Sequence, residues 1–436
     1  MKRFIENNLM AWKNEKDRKP LILSGARQVG KSYVIEHNFS SYFDQIITIN
    51  FEKQPEFAYC FESGYDPVKI LKRIEVLAEK KITPGSTLVF LDEIQFCPEA
   101  IISLRYFYEE MPSLHIIAAG SLIEFTIEKI SVPVGRVTFR HLEPLTFEEF
   151  LYNSDNQLLL GEIKEHSIKK PFPLALHNKA ISLLKEYMAI GGMPQVVANF
   201  IEHQDYLRCR ELLSDLLESY TKDFPKYSAK HSDFKYLNTI FSRIPHLVGN
   251  QFKFVQISRD IQAKYLRSGL ELLNKADLIK FIYKTSGIPL GANYNPLRFK
   301  LLFLDIGLMQ RACDLNISRW ITDGYNLLNS GSIAEQFVGQ VINSNSSFKK
   351  KRLYHWARDK RGSSAEVDYL IELNNGVFPI EVKAGATGKL KSLFLFLNNN
   401  PSISYGIKVS LDNFQRKDNI QSIPLYAIGS WIGNNN

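Results

Sequence analysis

Short apolar runs closed by Gly, Pro or charged residues alternate with segments of helical spacing over the first 150 residues. Residues Pro20 to Ser24, Ile46 to Phe51, Ser86 to Leu91, Leu114 to Ser121 and Val134 to Phe139 predict strands, and 66–80 and 99–110 predict helices between them. The strand runs show little alternation, as expected of strands covered on both faces in a parallel sheet. Strands and helices in turn mean an α/β layered domain. Farther on, 146–152 and 180–220 carry helical periodicity, broken at Ala189-Ile190-Gly191-Gly192-Met193-Pro194. Ile257, Ile261, Tyr265, Leu266, Leu270 and Leu273 form an apolar helix face with Ser258 as its cap, and Asp277 to Tyr283 then turns strand-like. This order predicts a winged helix-turn-helix, a module that meets DNA or simply packs against protein. Near the C-terminus, Glu366 to Ile371 and Phe378 to Lys383 flank an Asn374-Asn375-Gly376 turn, which reads as a hairpin.

The pattern gains chemistry at the end of the first strand. Gly25-Ala26-Arg27-Gln28-Val29-Gly30-Lys31-Ser32 matches the phosphate-binding loop G-x-x-x-x-G-K-[ST], and the segment from Tyr33 to Glu36 can continue as a helix. In such a loop the backbone N–H groups wrap a polyphosphate, Lys31 reaches the β- and γ-phosphates, and the Ser32 hydroxyl ligates Mg²⁺. About sixty residues on, the run Leu88 to Leu91 ends in Asp92-Glu93, a Walker B strand. Asp92 would hold the Mg²⁺ shell, and Glu93 would orient and polarise the attacking water. Ser121 falls at the C-terminal end of its strand, where it is either a γ-phosphate sensor or an ordinary strand-to-loop turn.

The strings RKPLILSGARQVGKS, LVFLDEIQ, AAGSLIEF and GRVTFRHLEPLTFEEFL together resemble the bacterial and archaeal ATPases of the AAA-like, STAND-type group that carry a C-terminal domain of unknown function. The resemblance implies ATP and Mg²⁺ as cofactors and covers nearly the whole chain. It also implies a γ-phosphate arginine at Arg136, with Arg140 as the substitute; the alternative for either is a structural salt bridge. By the same resemblance, Gly192 and Pro194 are candidates for the adenine pocket, the alternative being a plain turn between helices.

The C-terminal hairpin has its own candidate chemistry. Glu381 and Lys383 are two residues apart on a strand and so share a face, Asp368 lies on the neighbouring strand, and a helical segment upstream supplies Glu335. Two or three carboxylates with a lysine make a candidate hard-cation site. Helix Glu, then Asp, then E-x-K is the order of residues in the PD-(D/E)xK nuclease-like superfamily, which the region resembles, with Val367 in place of the motif's Pro, a departure that many members share. The other reading is a hairpin with its charges in solvent. Basic residues Lys349, Lys350, Lys351, Arg352, Arg358, Lys360 and Arg361 would suit a phosphate backbone.

Composition narrows the setting. The net charge of +8 is uneven: residues 1–152 carry −3, 153–319 carry +7 and 320–436 carry +4. The basic excess behind the phosphate loop suits a polyanion such as DNA. No apolar stretch is long enough for a membrane span and Met1 to Glu6 lacks a signal-peptide core, so a cytoplasmic protein is expected. Cys60, Cys97, Cys209 and Cys313 lie far apart and read as reduced thiols. The expected plan is α/β throughout: a P-loop NTPase domain with a parallel sheet at 1–152, a helical lid and winged-helix region at 153–310, and an α/β nuclease-like domain at 311–436. The expected function is ATP binding and hydrolysis coupled to the winged helix and nuclease-like domain, acting on DNA. The alternative is a nucleotide-gated switch or scaffold whose inactive C-terminal domain binds a protein partner.

Overall fold

The computed structural model describes the chain except for residues 63, 129, 131–134, 228–234, 316–330, 346–351, 359–364, 375, 385–389 and 436. The expectations at Val134, Asn375, Lys349, Lys350, Lys351, Lys360 and Arg361 lie outside the described residues. The chain falls into two compact units that divide between Glu143 and Pro144.

The first unit is built on an all-parallel five-stranded sheet: β1 (Leu21–Ser24), β2 (Gln45–Asn50), β3 (Thr87–Asp92), β4 (His115–Ala119) and β5 (Thr138–His141), in the spatial order β2-β3-β4-β1-β5. The three central strands β3, β4 and β1 are buried at every position, whereas the edge strands β2 and β5 show exposed or half-buried positions. Central strands have helices on both faces, and edge strands meet solvent on one side, so burial follows position in the sheet. The helices Pro67–Ala78 and Pro98–Glu110 lie between strands as expected, and Ile70, Ile74, Ile101 and Leu104 enter a core with Ile47, Ile49, Val89 and Leu91. After the loop, a turn of α-helix at Lys31–Tyr33 widens into a π-helix at Val34–Asn38, burying Val34 and Ile35.

The second unit begins with helices Phe147–Asn153, Gln157–Glu165, Leu174–Ile190, Pro194–His203 and Tyr206–Asp223. The first of these starts at a capping box, in which the Thr146 hydroxyl accepts from Glu149 N–H and the Glu149 carboxylate accepts from Thr146 N–H. The helix expected behind Ser258 starts later, at Ala263–Lys275, because the Ser258 hydroxyl accepts from Asp260 N–H in a turn of its own. Its buried face is Leu266, Gly269, Leu270 and Leu273. Strands β6 (Ile279–Thr285) and β7 (Tyr294–Phe303) follow as an antiparallel pair.

These two strands do not stand alone. β6 also pairs in parallel with β8 (Leu353–Ala357), so that β6 and β7 join β9 (Glu366–Leu373), β10 (Gly376–Val382), β11 (Gly406–Ser410), β12 (Gln415–Lys417) and β13 (Ile420–Pro424) in one mixed sheet of order β12-β13-β11-β10-β9-β8-β6-β7. The expected hairpin is present, with Phe378 opposite Ile371 and Ile380 opposite Tyr369. The helix Gly331–Ser344 packs on this sheet so closely that a Cβ at Gly339 would lie 2.4 Å from the Tyr369 hydroxyl and 2.6 Å from Leu302. Strands distant in order, β7 and β9, thus face one helix. No helix among the described residues is long and apolar enough to cross a membrane.

Candidate functional site

Parallel pairing brings the C-terminal ends of β1, β3 and β4 to one edge of the first sheet, the edge where open α/β sheets hold ligands. The loop Gly25–Ser32 leaves β1 there. Gly25 must be a glycine: its φ is 145°, and a Cβ would lie 2.3 Å from the Leu142 carbonyl oxygen. Lys31, almost wholly buried, donates to the carbonyl oxygens of Gly25 (2.9 Å) and Ala26 (2.8 Å). Arg3, also buried, donates to the carbonyls of Val29 (2.8 Å) and Glu143 (2.7 Å). Two cations therefore hold three loop carbonyls, and a carbonyl so engaged turns its peptide N–H the other way, the polarity an anion site needs. Arg27 is half-buried, Gln28 is exposed with φ 64°, and Tyr33 is exposed against His37.

The Ser32 hydroxyl lies 3.0 Å from both carboxylate oxygens of Asp92, at the end of β3. Asn50, opposite Asp92 in the β2–β3 register, donates its amide to Asp92 Oδ2 at 2.9 Å. Burial pushes the Asp92 pKa up, against the hydrogen bonds from Ser32, Glu93 N–H and Asn50 that lower it. A hydroxyl beside an oriented carboxylate is a hard oxygen donor pair, which fits Mg²⁺. Glu93 follows with φ 50°, and its carboxylate accepts from Gln95 Nε2 at 2.5 Å. Ser121, buried, lies two residues beyond β4, which runs between β1 and β3. Ser32, Asp92, Glu93 and Ser121 therefore share the loop's edge of the sheet.

Sequence reading missed Arg3, Asn50 and Gln95. Asn50 had a signal, since a polar residue closing an apolar strand at the ligand edge is a candidate by position alone. Arg3 had none, because its partners are 26 and 140 residues away.

One expectation is corrected. Leu21 pairs with Thr138 and Ser24 with His141, so Arg136 precedes β5 at the edge where β1 begins, opposite the loop and about 13 Å from it by strand length. There its Nε donates to Glu109 Oε1 at 2.9 Å. Arg136 therefore does not reach a phosphate held by its own chain's loop. Arg140, within β5, donates to the Phe139 carbonyl. In the second unit, Gly192 N–H donates to Asp305 Oδ2 (2.7 Å), its carbonyl accepts from Leu145 N–H (2.7 Å), and a Cβ would lie 2.1 Å from the Leu145 oxygen. Close packing accounts for the glycine and both of its backbone groups are engaged. Pro194 opens the next helix at its first position.

At the C-terminal cluster the four expected residues do converge. Lys383 Nζ lies 2.6 Å from Glu381 Oε1, Asp368 Oδ2 accepts from Val382 N–H at 2.8 Å, and the Tyr369 hydroxyl donates to the Glu335 carbonyl at 2.8 Å. Two further residues belong to it. Lys300 on β7 pairs with Glu335 Oε2 (3.1 Å), Asp368 Oδ1 (3.4 Å) and Glu366 Oε1, and its side chain is 1% exposed. Burial pushes Glu335 up to about 8 and Glu381 up to about 7, with Asp368 adding to both, while Lys300 pulls both down. Burial would deprotonate Lys300, but the carboxylates around it hold its pKa well above the ordinary lysine value. The expected hard-cation site is not realised: among the described residues no group of three or more His, Cys, Asp or Glu is arranged to hold a metal, and a lysine lies among the carboxylates. The signal in the sequence was a lysine inside the otherwise apolar run Phe299 to Leu304.

Comparison with known proteins agrees with the first unit. A family model described as an AAA domain matches residues 17–151. Two models described only as domains of unknown function, DUF8612 and DUF4143, match 181–319 and 330–428. A solved structure, the Walker-type ATPase PABY2304 of Pyrococcus abyssi, is 16% identical over 72% of this chain and 95% of that chain, with a TM-score of 0.44. No curated protein matches. The chain thus carries an AAA-type P-loop ATPase domain, followed by a region of helices and mixed sheet.

Proposed function

We propose that the protein hydrolyses ATP with Mg²⁺ at the loop edge of its first sheet and uses the nucleotide state to control its second unit. The observation that carries this is the Ser32 hydroxyl 3.0 Å from both oxygens of Asp92, beside a phosphate loop whose lysine donates to the carbonyls of Gly25 and Ala26. Ser32 and Asp92 would hold Mg²⁺, which when bound neutralises charge on the β- and γ-phosphates. Lys31 exchanges its carbonyl partners for phosphate oxygens, a gain because charge-assisted bonds are the stronger ones. Glu93 orients the attacking water once Gln95 releases its carboxylate, and Ser121 reports on the γ-phosphate. The cytoplasm, where Mg·ATP is plentiful and thiols stay reduced, is the proposed location.

For the second unit we propose binding without cleavage. Its winged-helix-like segment and PD-(D/E)xK-like hairpin belong to a basic region, and DNA is the partner that this charge favours. Lys300 among the carboxylates favours an inactive domain over a nuclease. Phosphate release by Lys31→Ala and Glu93→Gln tests the ATPase site, and undiminished turnover would refute it. DNA binding measured against salt tests the partner: a steep loss with salt is expected, and its absence would favour a protein partner.

A further inference from the structure

A PD-(D/E)xK-like arrangement calls for a divalent cation between its carboxylates, and the residues here do not fit one. The centre of the cluster is already filled by a charge the chain brings itself. Lys300 Nζ meets Glu335 Oε2 at 3.1 Å, Asp368 Oδ1 at 3.4 Å and Glu366 Oε1 in direct contact. An ammonium has three N–H donors and no acceptor, and three carboxylates from two elements supply one acceptor each. We propose that Lys300 is the resident cation of this cluster, a built-in replacement for a divalent metal, and that the domain therefore works without one. The inference rests on the reading of the second unit as a binding module that does not cleave.

Burial decides whether the lysine could simply step aside. Its side chain is 1% exposed in the inner half of β7, between Phe299 and Leu301, which are themselves buried. An unpaired ammonium elsewhere in that core would carry a large desolvation penalty, so a metal would have to displace a paired charge with nowhere to go. The cluster also holds groups that the lysine leaves unused. Among the described residues, Glu381 Oε2 and both ring nitrogens of the fully buried His355 have no hydrogen-bond partner, and His355 Nδ1 lies 4.0 Å from Glu366 Oε1. Burial, aided by Lys300 and Lys284, lowers the imidazole pKa to about 3, so the ring is neutral and able to act as a ligand. Removing Lys300 would leave hard carboxylate oxygens beside a neutral imidazole, donor types that suit a divalent ion once the resident ammonium no longer occupies the centre.

The test is Mn²⁺ binding, followed by the electron paramagnetic resonance of free Mn²⁺, on the full chain without nucleotide. Asp92→Asn is the background throughout, so that the first unit contributes no metal. With Lys300 present, no Mn²⁺ bound at the cluster is expected; Lys300→Met should gain one bound ion per chain, and adding Asp368→Asn should remove it. Should Lys300→Met not fold, Lys300→Met with Glu366→Gln removes one charge of each sign and is read in its place. One Mn²⁺ bound with Lys300 present and lost on Asp368→Asn would overturn the inference, as would a folded Lys300→Met chain, or its double-variant substitute, that gains none. Plasmid incubation with Mg²⁺ or Mn²⁺ separates the two readings. Metal binding by the chain that keeps Lys300, without cutting, defeats only the resident-cation inference, whereas cutting abolished by Asp368→Asn defeats the non-cleaving reading as well.

Discussion

Each unit of this protein gathers carboxylates near a buried lysine, and the two lysines are held in opposite ways. Lys31 follows a loop and donates to the carbonyls of Gly25 and Ala26, neutral partners that an anion outcompetes. Lys300 lies on a strand and is held by Glu335, Glu366 and Asp368, acidic side chains fixed around it in the core. The first arrangement keeps a cation available to a ligand. The second uses a cation to neutralise the protein's own acids. A lysine among acids therefore indicates a functional site only when its partners are weaker than the ligand.

The contrast is tested most severely by removing each lysine in turn. Lys31→Ala should abolish phosphate release. Glu93→Gln should slow it by about 10²-fold or more while leaving ATP binding in place, since the carboxylate acts on water rather than on the nucleotide. Lys300→Met should instead appear in stability, lowering the unfolding free energy of the second unit by about 3–5 kcal/mol in a denaturant melt, because it leaves buried carboxylates uncompensated. If Lys300→Met melts like the parent chain, the comparison fails.

A smaller effect should appear with pH. Glu335 and Glu381 are raised from 4.5 in the open chain to about 8 and about 7 in the folded one. The folded state therefore binds more protons than the unfolded one across this window. The stability these two groups contribute is present below about pH 4.5 and is lost as pH rises towards 8. Glu335→Gln should flatten this decline between pH 5 and 8 in thermal melts; an unchanged slope would show that the cluster does not titrate there. The smallest expected change is at Arg3. Arg3→Ala should raise the KM for ATP several-fold with little loss of kcat, as expected if the residue shapes the loop and touches no reacting group. Arg3→Lys should recover part of the KM. A fall in kcat alone would contradict this role.

The phosphate loop and Walker B strand were legible because each is a contiguous segment whose residues carry both the local conformation and the chemistry. The central strands were legible from unbroken apolar runs, and the hairpin at 366–382 from its Asn-Gly turn. The edge of the sheet on which Arg136 lies was not legible. Gly-Arg before a strand looks the same whichever end of the sheet it occupies, and only the pairing of Thr138 with Leu21 places it opposite the loop. Nor was the close packing of Gly192 against Leu145 and Asp305 legible, since its partners come from distant parts of the chain. At the C-terminal cluster, the order of Glu335, Asp368, Glu381 and Lys383 named residues that share one cluster, with Lys383 paired to Glu381. It did not foretell Lys300, which comes from a strand assigned to another domain.

By itself, the sequence determined where the phosphate loop and the Walker B strand lie, because residues 25–32 and 92–93 create their geometry over a few bonds of backbone. Only the tertiary structure decided which charges remain available. Strand register and sheet order choose the distant partners of each buried ion, and in a low-dielectric interior those partners determine whether a lysine serves a ligand or replaces one.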